Sequence, residues 1–229
     1  MDLMDQTNIK KNKKNKMKKT ILMAAIICLA NFSYAQSDKY VAAMKANIAQ
    51  MDSLMIKNNG SDLANNFSRI GDAEKTQWLP YYYAAYCTVV SGLTEKDVSK
   101  KDALADKSND LLGKAETILG KDNSETEVIK SMIATLRMTV DPQSRYMTYG
   151  PVISENIEKA KSLDPNNPRP YILEAQNKFY TPEAFGGGKD AAKPIFDKAK
   201  QLSDSFKPES DIAPNWGKGS LDYFLSQYK

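Results

Sequence analysis

Apolar side chains recur every three to four residues along almost the whole sequence after residue 36, and strand-like alternation is nearly absent. This interval places apolar side chains on one face of a helix. The sequence therefore predicts an all-α protein. The predicted helices cover residues 38–57, 61–72, 77–91, 97–119, 125–140, 151–163, 168–180 and 189–203, and a short last helix covers 220–227.

Several helix ends carry residues that are typical of such positions. Ser124 and Glu127 have the spacing of a capping box and are predicted to begin the fifth helix. Pro151 and Pro168 suit the first turns of the sixth and seventh helices, where a missing N–H group costs little. Gly120 suits the end of the fourth helix.

The N-terminal part of the chain has the three-part plan of a secretory signal peptide. In residues 17–35 a basic end precedes an apolar run at 21–30, and the small residues Ser33 and Ala35 occupy the −3 and −1 positions before a cut at Gln36. The apolar run is too short to cross a bilayer as a stable helix. We therefore expect an exported protein, periplasmic or secreted, whose mature chain has no transmembrane span.

The leader also bears on lipidation and on the domain boundaries. Cys28 follows the bulky Ile27, whereas a lipidation site requires a small residue there, so no lipoprotein is expected. Residues 1–16 are interpreted as an extension ahead of the true start. Residues 36–229 are predicted to form a single domain, with 204–229 as a C-terminal cap.

The chain contains no histidine, which excludes many chemistries. Nucleophiles that depend on an imidazole base and zinc sites with histidine ligands are ruled out. Cys87 is the one cysteine after the predicted cut, so neither an all-cysteine metal site nor an internal disulfide can form, and it is expected to be a buried apolar side chain. We expect no catalysis, no metal and no cofactor.

The charge of the mature chain argues against nucleic-acid binding. The leader holds seven basic and two acidic residues, which leaves 25 basic against 26 acidic residues after it. A protein that neutralises phosphates needs a net basic face. No nucleic-acid partner is therefore expected.

Small residues recur in a fixed setting, with Ala115, Ala160 and Ala199 spaced by 45 and 39 residues. The clearest unit covers residues 157–199 and comprises Ile157, Ala160, Leu-Asp-Pro-Asn-Asn-Pro at 163–168, Tyr171, Ala175, Ala192, Phe196 and Ala199.

This unit resembles the tetratricopeptide repeat, although the period is longer than 34 residues, and Glu174 and Lys178 stand where that family prefers Leu and Tyr. The resemblance implies antiparallel helix pairs stacked as a short α-solenoid, with a protein or peptide partner held in the groove.

The extra length of the repeat is predicted to lie in loops within the pairs, at 91–96, 141–150 and 181–189. Loops offset by one repeat stack on one edge, which is often the binding face. That edge would gather the candidate binding residues Arg145, Tyr146, Tyr149, Phe185 and Lys189. The alternative is that these loops only cover the core with their aromatic rings turned inward.

Five aromatic residues fall between Trp78 and Tyr86, and among them Tyr82 and Tyr86 are candidates for a groove that stacks a sugar or peptide. Core packing is the alternative for this run. The carboxylate pair Glu125 and Glu127 is expected to be solvated on a charged helix face.

Three functional hypotheses remain. The first is an exported repeat protein that binds or scaffolds protein or peptide partners without catalysis. The second is a periplasmic binding protein for a small ligand, a sugar or a peptide, accessory to uptake. The third is a carboxylate-dependent hydrolase on a helical scaffold, which needs two acidic residues that face each other in a cleft.

Overall fold

A computed structural model describes residues 38–51 and 60–228 of the chain. The chain divides into two compact units, Met1–Ala43 and Met44–Lys229. In the first unit, residues 38–43 are helical. The predicted leader, its cleavage site and residues 52–57 of the predicted 38–57 helix lie outside the described residues.

The second unit is built from helices, which confirms the all-α prediction. Residues 44–48 are helical, and no strand occurs among the residues described. The remaining helices are α1 (Gly60–Ala73), α2 (Leu79–Thr94), α3 (Lys101–Leu119), α4 (Ser124–Met138), α5 (Pro142–Leu163), α6 (Pro168–Tyr180), α7 (Lys189–Ser205) and α8 (Lys218–Ser226).

Consecutive helices pack as pairs, and the pairs pack on one another. The pairs are α2 with α3, α4 with α5, and α6 with α7, each joined by a short connection that makes its helices antiparallel. The first helices α2, α4 and α6 also contact in sequence, so their N-termini lie at one end of the stack. α1 packs on α2, and α8 packs on α7.

The helices approach closely at small residues, as the repeat spacing predicts. Hydroxyl groups reach across two of these crossings: Ser108 donates to the Ala85 carbonyl at 2.9 Å and Ser124 to the Ala160 carbonyl at 2.8 Å. Only short side chains allow backbones to come within this reach. The predicted crossing residues Ala85, Ala115, Ala160, Ala175 and Ala199 are all fully buried.

Three consecutive tyrosines of α2 are buried, although successive helix positions point about 100° apart. Each hydroxyl donates to a different element: Tyr81 to Asp72 of α1 at 2.7 Å, Tyr82 to Glu125 of α4 at 2.6 Å, and Tyr83 to the Ile212 carbonyl of the C-terminal segment at 2.9 Å. α2 is therefore covered on three sides, and core packing is confirmed for Tyr81, Tyr82 and Tyr83, whereas Trp78 and Tyr86 are half-buried.

The prediction of a loop at 141–150 is wrong. Asp141 accepts a hydrogen bond from the Ser144 N–H, Pro142 follows it, and helix α5 runs without a break from there to Leu163. Pro151 therefore lies inside α5 and not in its first turn. Both the Asp141-Pro142 pair and the lone Pro151 are typical of the first turn of a helix. In the structure, Asp141-Pro142 marks the start of α5.

The predicted capping box of α4 is also wrong. The N-cap is Asn123, whose side-chain oxygen accepts from the Glu125 N–H at 2.8 Å. The Ser124 hydroxyl bonds to α5, and the Glu127 carboxylate pairs with Lys130 and Lys159. The Ser124 and Glu127 side chains, which would have formed the capping box, are thus bonded to other residues. The predicted ends at Gly120 and Pro168 are confirmed.

Candidate functional site

A cleft of about 810 Å³ opens at the end of the stack where α2, α4 and α6 begin. Its wall is formed by the start of α2, the turns before α4 and α6, and the segment that follows α7. This volume lies within the range of about 300–1,000 Å³ that is usual for small-molecule sites. The apolar residues of the wall are Trp78, Leu79, Leu163, Phe206, Ala213 and Pro214.

A buried ion pair between Glu125 of α4 and Arg169 of α6 forms part of this wall. Arg169 is only 2% exposed, and its Nε donates to the two Glu125 oxygens at 2.8 and 3.0 Å, while its Nη2 lies against Oε1. Asn167 donates to Glu125 Oε1 at 2.7 Å. The carboxylate therefore has the several partners that a buried charge needs.

Tyr82 and Trp216 extend this network to α2 and to the C-terminal segment. The Tyr82 hydroxyl donates to Glu125 and accepts from the Trp216 indole N–H at 2.8 Å. Burial and the Glu125 charge raise the pKa of Tyr82 well above its ordinary value, so the phenol remains a donor. Burial alone would lower the pKa of Arg169, but Glu125 more than offsets this effect and the pKa is raised.

One donor of Arg169 remains unused. Within the described part of the chain, its Nη1 is buried and has no hydrogen-bond partner. The guanidinium lies over the Phe206 ring at 4.7 Å and over the Trp216 ring at 5.8 Å. The guanidinium thus lies close to two rings, and Nη1 is the nitrogen that Glu125 does not bind.

The expectation that Glu125 and Glu127 are solvated is wrong, since they are 8% and 1% exposed. α4 packs against α2, α3, α5 and α6, so its first turn is covered on several sides. Both carboxylates are bound to cations, Glu127 to Lys130 and Lys159. This pairing leaves neither carboxylate free to face the other as an acid–base pair.

A second candidate site, the C-terminal aromatic surface, is defined by Tyr180, Tyr223, Phe224 and Tyr228. Tyr180 and Tyr223 are 71% and 61% exposed, and their ring centroids lie 5.8 and 5.4 Å from that of the buried Phe224. Phe179 lies edge-on to Tyr228 and to Phe224 and joins the rings below the surface. Exposed aromatic side chains grouped in this way are typical of binding surfaces.

Two ammonium groups accompany this surface. Lys189 Nζ and Lys193 Nζ lie 5.0 and 5.6 Å from the centroid of the Tyr228 ring. Lys193 is also paired with Asp197, whereas Lys189 has no ion-pair partner among the residues described. The combination of rings and cations suits a flat ligand that carries negative charge.

The residues that were predicted to form a binding face from stacked loops do not form such a face in the structure. Arg145 lies in α5 and binds Asp102 of α3 through both nitrogens of its fork, at 2.7 and 2.8 Å, so it is not free for a ligand carboxylate. This bond lowers the pKa of Asp102. Tyr146 is exposed on α5, and Tyr149 packs against the core beside Ile153.

The other predicted residues lie elsewhere. Phe185 is 78% exposed in a 3₁₀ turn between α6 and α7, and Lys189 begins α7. Tyr82 is fully buried, so a role in stacking a sugar or peptide is not supported for it. The Tyr86 ring lies 4.4 Å from that of Trp216.

The sequence interpretation missed Arg169 and the aromatic surface. Arg169 stands between Pro168 and Pro170 at the start of a helix, a place where an arginine does not complement the helix dipole. This unfavourable position is the feature of the sequence that could have indicated a special role for Arg169. Tyr180 and Tyr223 are far apart in sequence and belong to no shared pattern.

Residues 38–51 and 60–228 contain no group of three or more acidic or cysteine side chains placed to hold a metal ion. None of the helices described there is long and apolar enough to cross a membrane.

The comparisons with known proteins give one clear similarity. No family model and no curated protein sequence matches this chain. The solved structure of the HusA haemophore from Porphyromonas gingivalis matches it with a TM-score of 0.73 and 35% sequence identity, over 83% of this chain and 92% of the haemophore. At this identity and coverage, the chain belongs to the family of the HusA haemophore.

Proposed function

We propose that this protein is an exported haem carrier that binds the macrocycle on its C-terminal aromatic surface. The observation that carries the proposal is the 35% identity with a haemophore over 92% of that protein's chain. The relative is a binding protein, which favours binding over catalysis here. The predicted leader supports export.

The aromatic surface matches haem better than the cleft does. Haem is a flat, largely apolar ring that carries two carboxylates. Tyr180 and Tyr223 offer exposed rings next to the buried Phe224, and Lys189 offers an ammonium group that has no ion-pair partner among the described residues. The cleft instead has acidic residues in its wall, including Asp164 and Glu209, which repel a dianion.

The rings would hold the macrocycle by stacking, and Lys189 and Lys193 would hold its carboxylates. The chain has no histidine, and a tyrosine oxygen is the group on this surface that serves as an axial ligand in some haem proteins. Substitution by Phe separates the two roles, because it keeps the ring and removes the oxygen.

Titration of haemin into the mature chain, followed at the Soret band, tests the proposal. We expect saturable binding, and we expect the double variant Tyr180→Ala/Tyr223→Ala to weaken it at least about tenfold, which corresponds to about 1.4 kcal/mol for two aromatic contacts. Tyr180→Phe/Tyr223→Phe should retain most of the affinity if stacking dominates.

Tyr146→Ala is the matched control, because Tyr146 is also an exposed tyrosine but lies on α5. It should bind haemin like the wild type. Equal loss in Tyr146→Ala and in the double alanine variant would refute this location of the site. Absence of a saturable Soret change in the wild type would refute haem carriage itself.

A further inference from the structure

Phe185 differs from the other described phenylalanines in its exposure to solvent. It is 78% exposed. The others are buried or half-buried: Phe67, Phe179, Phe196, Phe206 and Phe224. A phenyl ring in water is unfavourable, and a ligand that covers the ring removes this cost. The surroundings of Phe185 indicate what that ligand is.

The turn that carries Phe185 is closely specified by its backbone. The Phe185 and Gly187 N–H groups both donate to the Pro182 carbonyl, at 2.9 and 3.2 Å. A methyl group at Gly187 would overlap the Thr181 carbonyl oxygen, and Gly188 has a φ of 97°. Residues other than glycine are disfavoured at both positions. The turn therefore holds the backbone of Phe185 in a defined place.

Both ends of this turn adjoin the C-terminal aromatic surface. Tyr180, the last residue of α6, precedes the turn, and Lys189, the first residue of α7, follows it. The Tyr228 hydroxyl donates to the Lys189 carbonyl at 2.6 Å, which ties the chain after α8 to the same place. Phe185 is four residues from Lys189, so their α-carbons are at most about 14 Å apart. A macrocycle that contacts Tyr180 and Lys189 therefore lies within reach of Phe185.

We propose that Phe185 is a haem contact, whose ring packs against the macrocycle on the C-terminal aromatic surface and slows its release. This inference rests on the proposed function. Tyr180 and Tyr223 pack on the buried Phe224, whereas Phe185 has no ring contact among the described residues. Its ring is therefore available to the ligand. A further aromatic contact adds apolar area without charge, and contacts of this kind act mainly on the dissociation rate.

The rate at which haemin leaves the mature chain tests this role. Haemin-loaded protein is mixed with an excess of apomyoglobin, and the transfer is followed at the Soret band. Phe185→Ala should raise the dissociation rate at least about fivefold, the effect of one aromatic contact. Phe185→Tyr keeps the ring and should release haemin at close to the wild-type rate. Because Phe185 is exposed, neither change should move the midpoint of urea denaturation, so faster release would not reflect unfolding.

Two further variants sharpen the test. Met147→Ala is the matched control, because Met147 is an apolar residue that is 81% exposed but lies on α5. Gly187→Ala keeps the Phe185 ring but disturbs its turn, and it should also speed release. Wild-type release from Phe185→Ala, or equal acceleration in Met147→Ala, overturns the proposal. Wild-type release from Gly187→Ala overturns the role of the turn.

Haemin titration of the wild type and of Tyr180→Ala/Tyr223→Ala separates this proposal from the proposed function. Saturable wild-type binding that the double variant weakens, together with normal release from Phe185→Ala, would keep the aromatic surface and overturn the role of Phe185 alone. Absence of haemin binding by the wild type would overturn both proposals.

Discussion

Glu125 is bound by three side chains from two other parts of the chain: Tyr82 in α2, and Asn167 and Arg169 at the start of α6. A buried ion pair gains little over an apolar replacement of both partners, but removal of one partner leaves an uncompensated charge. Glu125 is therefore a position where a change of one atom has a large effect.

Glu125→Gln tests this network at the residue scale. The amide has the shape of the carboxylate but no charge, so Arg169 would remain buried without a counter-ion. We expect the free energy of unfolding to fall by about 3–5 kcal/mol in urea denaturation. Glu155→Gln, an exposed glutamate on α5, should change it by less than about 0.5 kcal/mol. A loss below about 1 kcal/mol for Glu125→Gln would show that Arg169 is not left uncompensated.

The burial of Glu125 could not be predicted from its neighbours in sequence. Acidic residues are common in the first turn of a helix whether or not they are buried, because the helix dipole favours them there. Its cationic partner lies 44 residues away. Cys87, by contrast, lies in an apolar run, and its predicted burial is confirmed. Burial raises the pKa of this thiol.

At the scale of elements, the helices were predictable because their causes are local. Apolar period, end glycines and first-turn prolines are read within a few residues, and each predicted helix after residue 60 has a counterpart in the structure. The start of α5 could not be predicted in this way, because Asp141-Pro142 and Pro151 are each typical of the first turn of a helix. The early part of α5 is held by Arg145, which binds Asp102 of α3 and the Arg137 carbonyl of α4.

Two glycines inside helices give a matched test of this packing. Gly92 in α2 is buried, and an added methyl group would overlap the Leu136 side chain and lie 3.3 Å from Leu104 Cβ. Gly113 in α3 has open space at the same point.

Gly92→Ala should lower the free energy of unfolding by about 1–3 kcal/mol through overpacking. Gly113→Ala should raise it by about 0.5–1 kcal/mol, because alanine favours the helix. Urea denaturation of the two variants measures both changes. Equal shifts in the same direction would contradict the α2–α4 contact at Gly92.

At the scale of the whole second unit, the C-terminal segment returns to an early helix. Ile212 and Trp216 bind Tyr83 and Tyr82 of α2, at sequence separations of 129 and 134 residues. In an open array of repeats each unit contacts only its neighbours, and parts can unfold separately. Here the last segment is needed to complete the interior around α2.

This long-range link predicts cooperative unfolding. In urea, the midpoint measured by tryptophan fluorescence should coincide with that measured by far-ultraviolet circular dichroism, because Trp216 cannot leave without disturbing α2. A fluorescence midpoint well below the dichroism midpoint would mean that the C-terminal segment detaches first and is not part of one cooperative unit.

The sequence predicted the architecture of this unit better than its sites. The tetratricopeptide resemblance led to antiparallel pairs with buried alanines, which the structure contains, although the resemblance to that family stays a prediction. The cleft depends on Arg169, Trp78 and Phe206, which come from three elements and share no period. Such a site becomes visible only when the stack is assembled.

The hydrogen bonds from Tyr82 and Tyr83 to the C-terminal segment also constrain when the protein can fold. During synthesis, the ribosome must release the chain as far as Trp216, 134 residues beyond Tyr82, before the hydroxyls of α2 find their partners. A nascent chain of this kind stays incompletely folded until that segment has emerged. An incompletely folded chain can still pass through a secretion channel, whereas a helical bundle that folded early would block the channel.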